Sequence, residues 1–154
     1  MSSSPRTPGR PRFEPQDPDF ADVVARSFGR QGLLQALGAS LTDVQPGRVE
    51  IAVDYTDRVA QQQGYFHGAV IGAIGDCAGG YAALSLMPTA SEVVTVEYKV
   101  NFLRPGRGDR LVAIGQVQRA GRSLTVCQME VGTFTSGEWL ETALVQGTFM
   151  RVEL

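Results

Sequence analysis

From His67 to Leu86 the chain runs through small and apolar residues with one charged side chain among them, Asp76. About twenty residues is far beyond a usual strand, so length decides for a helix. A helix apolar nearly all round is buried on most of its sides. Its glycines (Gly68, Gly72, Gly75, Gly79 and Gly80) lower helix propensity. They make sense where another backbone or a ligand must come close. Whatever else this chain forms has to enclose that helix.

The remaining sequence supplies strands to do so. Ala39–Val44 and Arg48–Tyr55 read as two strands about the turn Gln45-Pro46-Gly47, the second alternating Val49, Ile51, Val53 and Tyr55 on one face. After Met87-Pro88 the pattern is β to the end. Glu92–Leu103 places Val94, Val96, Tyr98, Val100 and Phe102 on one face, and the turn Arg104-Pro105-Gly106 follows. Asp109–Arg119, Ser123–Phe134 and Glu138–Val152 are three further strands, joined at Ala120-Gly121-Arg122 and Thr135-Ser136-Gly137, which suit tight hairpins. Consecutive antiparallel strands after one buried helix give an α+β class, with an antiparallel β-sheet wrapped around a long central helix.

Ahead of this, Phe20, Val23, Val24, Ser27 and Phe28 recur at helical spacing, predicting a short amphipathic helix to about Arg30, with Gly32 and Gly38 breaking the chain after it. Residues 1–18, rich in Ser, Pro, Gly and Arg, read as a disordered N-terminal arm, and 19–154 as a single domain. Thr56–Phe66 is polar and aperiodic, a loop.

Composition narrows the function classes. With 14 basic and 16 acidic residues the net charge is -2, which provides no broad field for nucleic acid and no polybasic membrane patch. No apolar signal segment precedes the domain, and Asp76 interrupts the best apolar run, so the chain reads as cytoplasmic. Cys77 and Cys127 lack metal-ligand spacing and read as buried free thiols. A single histidine makes a zinc-type cluster hard to assemble, so no metal and no cofactor is expected.

The chemistry concentrates on two features. A lone carboxylate on a buried helix carries a heavy desolvation cost unless something selects for it. Asp76 is therefore either a general base or nucleophile with a raised pKa, or an acid near the surface that is solvated or locally hydrogen-bonded. The second feature is Gln61-Gln62-Gln63-Gly64-Tyr65-Phe66-His67-Gly68, which leads into the helix N-terminus, where free N–H groups meet the positive end of the dipole. Gly68 there suits an oxyanion donor and equally a helix cap.

Together these residues resemble the hotdog-fold acyl-CoA thioesterases of the phenylacetate-degradation and 4-hydroxybenzoyl-CoA types. Gln61, His67-Gly68 and Asp76 stand at that family's spacing, and Val94-Thr95-Val96-Glu97-Tyr98-Lys99-Val100-Asn101-Phe102-Leu103-Arg104-Pro105 is similar to its strand ending in Arg/Ser-Pro. The resemblance implies a hotdog fold and hydrolysis of an acyl- or aryl-CoA thioester to free acid and CoA. It implies that Gly68 supplies an N–H to the thioester carbonyl and that Asp76 attacks that carbonyl or activates water. Gln61 would help position the acyl group or water, Thr95 would hold water, and His67 would orient the loop. It further implies that the hairpin residues Arg119, Gly121, Arg122 and Ser123 touch the CoA phosphates. Ala69 replaces a common second glycine, and Gly80 stands where some members carry Thr or Ser, a departure that weighs against the aromatic-substrate subtype more than against the chemistry, with aryl, short-chain and medium-chain acyl groups all left open. The alternatives are a non-catalytic acyl-CoA-binding protein of the same fold and a hotdog dehydratase or hydratase. The latter usually has a Pro-rich loop after its His, which His67-Gly68-Ala69-Val70 lacks.

One expectation needs no family. Gly68 and Asp76 lie about 12 Å apart along one helix. An oxyanion donor has to sit about 3 Å from the carbonyl oxygen with the base close by, so one helix cannot serve both roles at one carbonyl. Two antiparallel helices about a two-fold axis can. A homodimer with two equivalent sites is expected; the family resemblance adds dimers of dimers. Tyr65, Phe66, Tyr81 and Phe102 are candidates to line an acyl pocket, or plain core.

Overall fold

The structure, a computed structural model, describes residues 12–153. Three helices and six strands follow in the order α1 (Phe20–Gly29), α2 (Gly32–Ala36), β1 (Ser40–Gln45), β2 (Arg48–Asp54), α3 (Gly68–Leu84), β3 (Ser91–Phe102), β4 (Arg110–Ala120), β5 (Leu124–Thr135) and β6 (Glu138–Glu153). The strands form one antiparallel sheet in the order β1-β2-β4-β5-β6-β3. α3 lies against β2, β3, β4, β5 and β6, so the sheet curls round it as the sequence pattern required.

The helix sits close because side chains are missing at the contact. Gly68, Gly72, Gly75 and Gly79 follow one another at helical spacing along one face. Val131 and Val145 press on Gly75, and Met129 and Phe149 press on Gly79, where a methyl group would meet the Met129 sulfur at 2.6 Å. From the other side, a Cβ on Gly115 of β4 would lie 2.2 Å from the carbonyl oxygen of Ala78. The helical glycines thus admit the chain's own sheet. The close approach that the glycines imply is, within this chain, that of the sheet.

The sheet is one-sided, as an antiparallel sheet with one solvated face should be. Its inner face carries Val49, Ile51, Leu111, Val117, Met129, Val145 and Phe149, all buried. One row crosses the sheet as Arg48, Gln116, Gln128, Gln146 and Lys99 in register, a polar line. Ser136 and Gly137 both take positive φ, the geometry of a two-residue hairpin whose twist matches its strands.

β3 departs from its sequence pattern. A bulge between Thr95 and Glu97 leaves Val96 unpaired against β6 and flips the side-chain alternation. Thr95 reaches the helix before the bulge, and Tyr98, Val100 and Phe102 reach it afterwards, beside Gly72 and Gly68. The five apolar residues expected on one face therefore do not share it. β3 is also an edge strand, and Val94, Val96, Tyr98 and Phe102 are exposed.

Two further expectations change. Gly32 opens the short helix α2 instead of breaking the chain, and Leu34 on it is fully buried. Most of the arm expected over 1–18 lies outside the described residues. Its end, 12–18, is ordered: Phe13 packs beside Gly47 and Leu86, and the Asp17 carboxylate accepts the Asp19 N–H at 2.9 Å. No helix among the described residues is long and apolar enough to cross a membrane.

Overpacking a tight core contact typically costs about 1–3 kcal/mol. Gly115→Ala should lose at least about 2 kcal/mol in urea unfolding, because its methyl group meets helix backbone that cannot rotate away. Gly32→Ala, with open space around it, should unfold at the wild-type midpoint or slightly above it.

Candidate active site

Asp76 sits halfway along α3, on the stripe that the sheet leaves uncovered: Ala69 is exposed, and Ala73 and Asp76 are half-buried. Its Oδ1 accepts a 2.8 Å hydrogen bond from the Thr95 hydroxyl, delivered across from β3 by the register ahead of the bulge. Burial pushes the Asp76 carboxyl above the ordinary carboxylate range, and the Thr95 hydrogen bond pulls part of the way back. The bond engages one carboxylate oxygen and leaves Oδ2 for a proton. Of the two readings of Asp76, local hydrogen bonding and a raised pKa both hold.

A cavity of about 170 Å³ opens beside this pair, lined by Ser27, Gln31, Cys77, Tyr81, Glu92 and Val93 among others. Burial, with the Asp76 charge adding to it, pushes the Cys77 thiol up to about 12. Burial alone pushes the Cys127 thiol up to about 12 as well. Both cysteines are free and stay protonated at neutral pH, poor nucleophiles in this setting.

The helix N-terminus shows how the loop treats its free donors. His67 is the N-cap of α3, and its Nδ1 accepts the Ala69 N–H at 2.9 Å. The His67 carbonyl takes the N–H groups of Val70 and Ile71. The His67 N–H donates to Val59 O at 2.8 Å and the Phe66 N–H to Gly106 O at 2.9 Å, which fixes the loop on both flanks. Among the described residues the Gly68 N–H has no acceptor. The histidine thus caps the helix, and the glycine carries the donor left over. Gln61 folds back on its own turn, its Oε1 accepting the Gln63 N–H at 2.8 Å, so its amide NH2 is the end left to face outward.

Gln61 and Gly68 line a second opening, a groove of about 510 Å³ with Tyr65, Phe66, Phe102 and Arg104. The cavity at Asp76 and this groove share no lining residue. Tyr65 and Phe102 do reach a groove wall, whereas Phe66 and Tyr81 are each 2% exposed and belong mainly to the core. Arg119, Gly121, Arg122 and Ser123 are all exposed at the β4–β5 hairpin. Ala120, Thr125, Phe149 and Thr95 pair in one row across the sheet, so the hairpin lies at the Thr95 end, about 14 Å away over three strand spacings. Within one chain, then, Asp76 meets Thr95, the hairpin shares their end, and Gly68 with Gln61 stands apart. Ser27, Gln31 and Glu92 around Asp76 were not foreseen. Ser27 and Gln31 come from the N-terminal helical segment and Glu92 from the start of β3, and no local signal marks them.

The sequence pattern of the thioesterase superfamily matches residues 63–138, from the loop before α3 into the β5–β6 hairpin. A solved thioesterase family protein from Silicibacter pomeroyi is 38% identical, with 88% of this chain and 99% of that one aligned at a TM-score of 0.85. The Escherichia coli medium/long-chain acyl-CoA thioesterase YigI is 30% identical over 101 residues, which cover 57% of this chain and 63% of that protein. The PaaI protein from the phenylacetic acid degradation operon of Escherichia coli shares the fold at 22% identity and a TM-score of 0.77, over 89% of this chain and 96% of that one. An acid on the central helix of a rolled sheet, near-full-length likeness to a thioesterase family protein and the matching sequence pattern agree: the chain belongs to the thioesterase superfamily and is a thioester hydrolase of the hotdog fold.

Proposed function

We propose that the chain hydrolyses acyl-CoA thioesters at two equivalent sites in a homodimer. In each, Asp76 of one subunit faces the Gly68 N–H of the other. The observation that carries this reading is the split site: an acid and a free N–H about 12 Å apart on one helix, opening into separate hollows. Neither half performs the reaction alone. A second copy supplies what each lacks.

The edge of β3 is where that copy fits. Among the described residues no strand lies beside its outward hydrogen-bonding groups, and exposed Val96, Tyr98 and Phe102 line it. Such an edge is a template for another strand. Antiparallel pairing of two β3 strands about a two-fold axis continues the sheet and sets the two α3 helices antiparallel. The stripe of Ala69, Ala73 and Asp76 that the sheet leaves uncovered then faces its counterpart, each acid toward the other helix's N-terminus.

In the reaction the thioester oxygen accepts the Gly68 N–H, which with the helix dipole stabilises the oxyanion. Oδ2 of Asp76 takes a proton from a water whose oxygen bonds to the carbonyl carbon. The tetrahedral intermediate collapses, the C–S bond breaks, and the sulfur leaves with the proton returned by Asp76. Thr95 steadies the carboxylate and the Gln61 amide positions the acyl group or the water. No cofactor enters. Arg119 and Arg122, with Gly121 and Ser123 shaping the tip, reach toward the CoA phosphates. The substrate class rests on YigI, named for medium- and long-chain acyl-CoA. A binder of the same ligand has no use for an acid whose burial raises its pKa.

Asp76→Asn should lower kcat for acyl-CoA at least about 1000-fold in a thiol-release assay and leave KM within a few-fold. Gly68→Pro deletes the donor yet suits the first helical position and the extended backbone of His67. Each variant alone should be inactive. Subunits of the two, mixed in equal amounts and allowed to exchange, should recover about a quarter of wild-type activity, since half the dimers carry one intact site. No recovery after exchange would sink the shared site.

Arg119→Ala with Arg122→Ala should raise KM several-fold at low salt with kcat little changed, and the difference should shrink as salt screens the phosphates.

The acid also weakens the fold at neutral pH. A carboxyl raised in the native state binds its proton there more readily than in the unfolded chain. Stability is therefore lost as pH rises from the ordinary Asp range through the raised value. Asp76→Asn, whose amide oxygen still accepts from Thr95, should melt higher than wild type at pH 7, with the gain gone below about pH 3. An unchanged difference across that range would show that the burial of Asp76 costs nothing.

A further inference from the structure

The cavity beside Asp76 is closed by residues that the hydrolytic step does not use. α1 spans the open side of the rolled sheet, touching β1, α3 and, through side chains, the start of β3. Ser27 on α1 donates to Glu92 Oε2 at 3.3 Å, and Arg30 binds Glu92 Oε1 at 2.6 Å. Next to them the Gln31 amide donates to the Tyr81 hydroxyl at 2.7 Å, and the Cys77 thiol lies 3.7 Å from its oxygen. Ser27, Arg30 and Glu92 thus bind one another and Gln31 binds Tyr81, while Thr95 holds one oxygen of Asp76 and leaves Oδ2 for the reaction. Val93, Gly80, the Tyr81 ring and the neutral Cys77 thiol give this partly open, otherwise polar cavity an apolar wall that an alkyl chain can lie against.

Beyond the contact of Ser27 with Glu92 lies a groove of about 750 Å³ along α1, which those two residues also line, together with Val23, Arg26, Arg30 and Ala90 among others. One latch therefore divides a small chamber at the acid from a large open one. A cavity of about 150 Å³ admits a benzene-sized molecule. The 170 Å³ chamber accordingly holds a ring or a chain of about six carbons.

We propose that this chamber receives the acyl group and that the Ser27–Glu92–Arg30 latch sets its length, about six carbons when closed and longer when open to the groove. The inference rests on the acyl-CoA reading above and adds to it a length limit set by α1. α1 lies outside the stretch that matches the family pattern.

The test compares kcat/KM for hexanoyl-CoA and dodecanoyl-CoA. In the wild type hexanoyl-CoA should be preferred. Glu92→Ala should raise the dodecanoyl-to-hexanoyl ratio at least tenfold. Ser27→Ala, a smaller change that spares the ion pair, should raise it at least threefold. Ser27→Leu, which fills the passage, should lower it. Loss of folding alone slows both substrates together and leaves the ratio in place. A ratio within twofold of wild type in folded Glu92→Ala and Ser27→Ala overturns the latch, as does a wild type that takes both chains equally. If Asp76→Asn abolishes turnover while the ratios stay still, only the latch fails. If the wild type cleaves no acyl-CoA, the acyl-CoA reading fails and takes the latch with it.

Discussion

How near α3 can lie to the sheet governs everything else in this fold. Helix and sheet meet where both give up side chains: Gly75 and Gly79 from the helix, Gly115 from β4. Interiors are close-packed, so methyl groups at those points would lift the helix and open voids along its length. The helix propensity lost at the glycines is offset by burial of Val131, Val145, Met129 and Phe149 against bare backbone. Tight seating on one face leaves the other face clear, and the uncovered stripe is where the acid stands.

That stripe and the edge of β3 form one seam. A single chain leaves there a half-buried carboxylate, a helix N-terminus with a free donor and exposed Val96, Tyr98 and Phe102. The proposed dimer makes use of all three. The bulge at Val96 lets one strand serve both needs, since it turns Thr95 onto Asp76 and still returns Tyr98, Val100 and Phe102 to the helix. Bulges gather at edges and beside active sites because they re-aim a side chain without ending the strand. The N-terminal helices close the roll at its other end. They add Ser27 and Gln31 to the surroundings of the acid.

Much of this was legible in advance because it follows from period and composition. Helix length, the order of the strands, both later hairpins and the odd acid in an apolar run are local properties of the chain. The position of Asp76 on a rolled sheet's central helix came from the same reading. The errors also have local causes. β3 alternates apolar residues in sequence, but one unpaired residue shifts the phase, and nothing in Val94-Thr95-Val96-Glu97 marks which residue will bulge. Gly32 looked like a breaker, yet buried Leu34 holds a turn of helix there. The helical glycines announced a close approach without naming what approaches.

The sequence by itself determined which groups exist and how far apart they lie along the chain: one acid within the apolar helical run, one histidine, a His-Gly step at a helix start and Asp76 eight positions after Gly68. From that spacing alone came the distance of about 12 Å between Gly68 and Asp76, because helix rise is the same everywhere. Only the tertiary structure decided that Thr95 binds the acid, that His67 caps its helix and leaves Gly68 free, and that Ser27, Gln31 and Glu92 enclose the chamber beside Asp76. Apart from the His67 cap, those contacts join residues far apart along the chain. They depend on sheet register and on how far the roll closes, and both are settled by the packing of the whole chain.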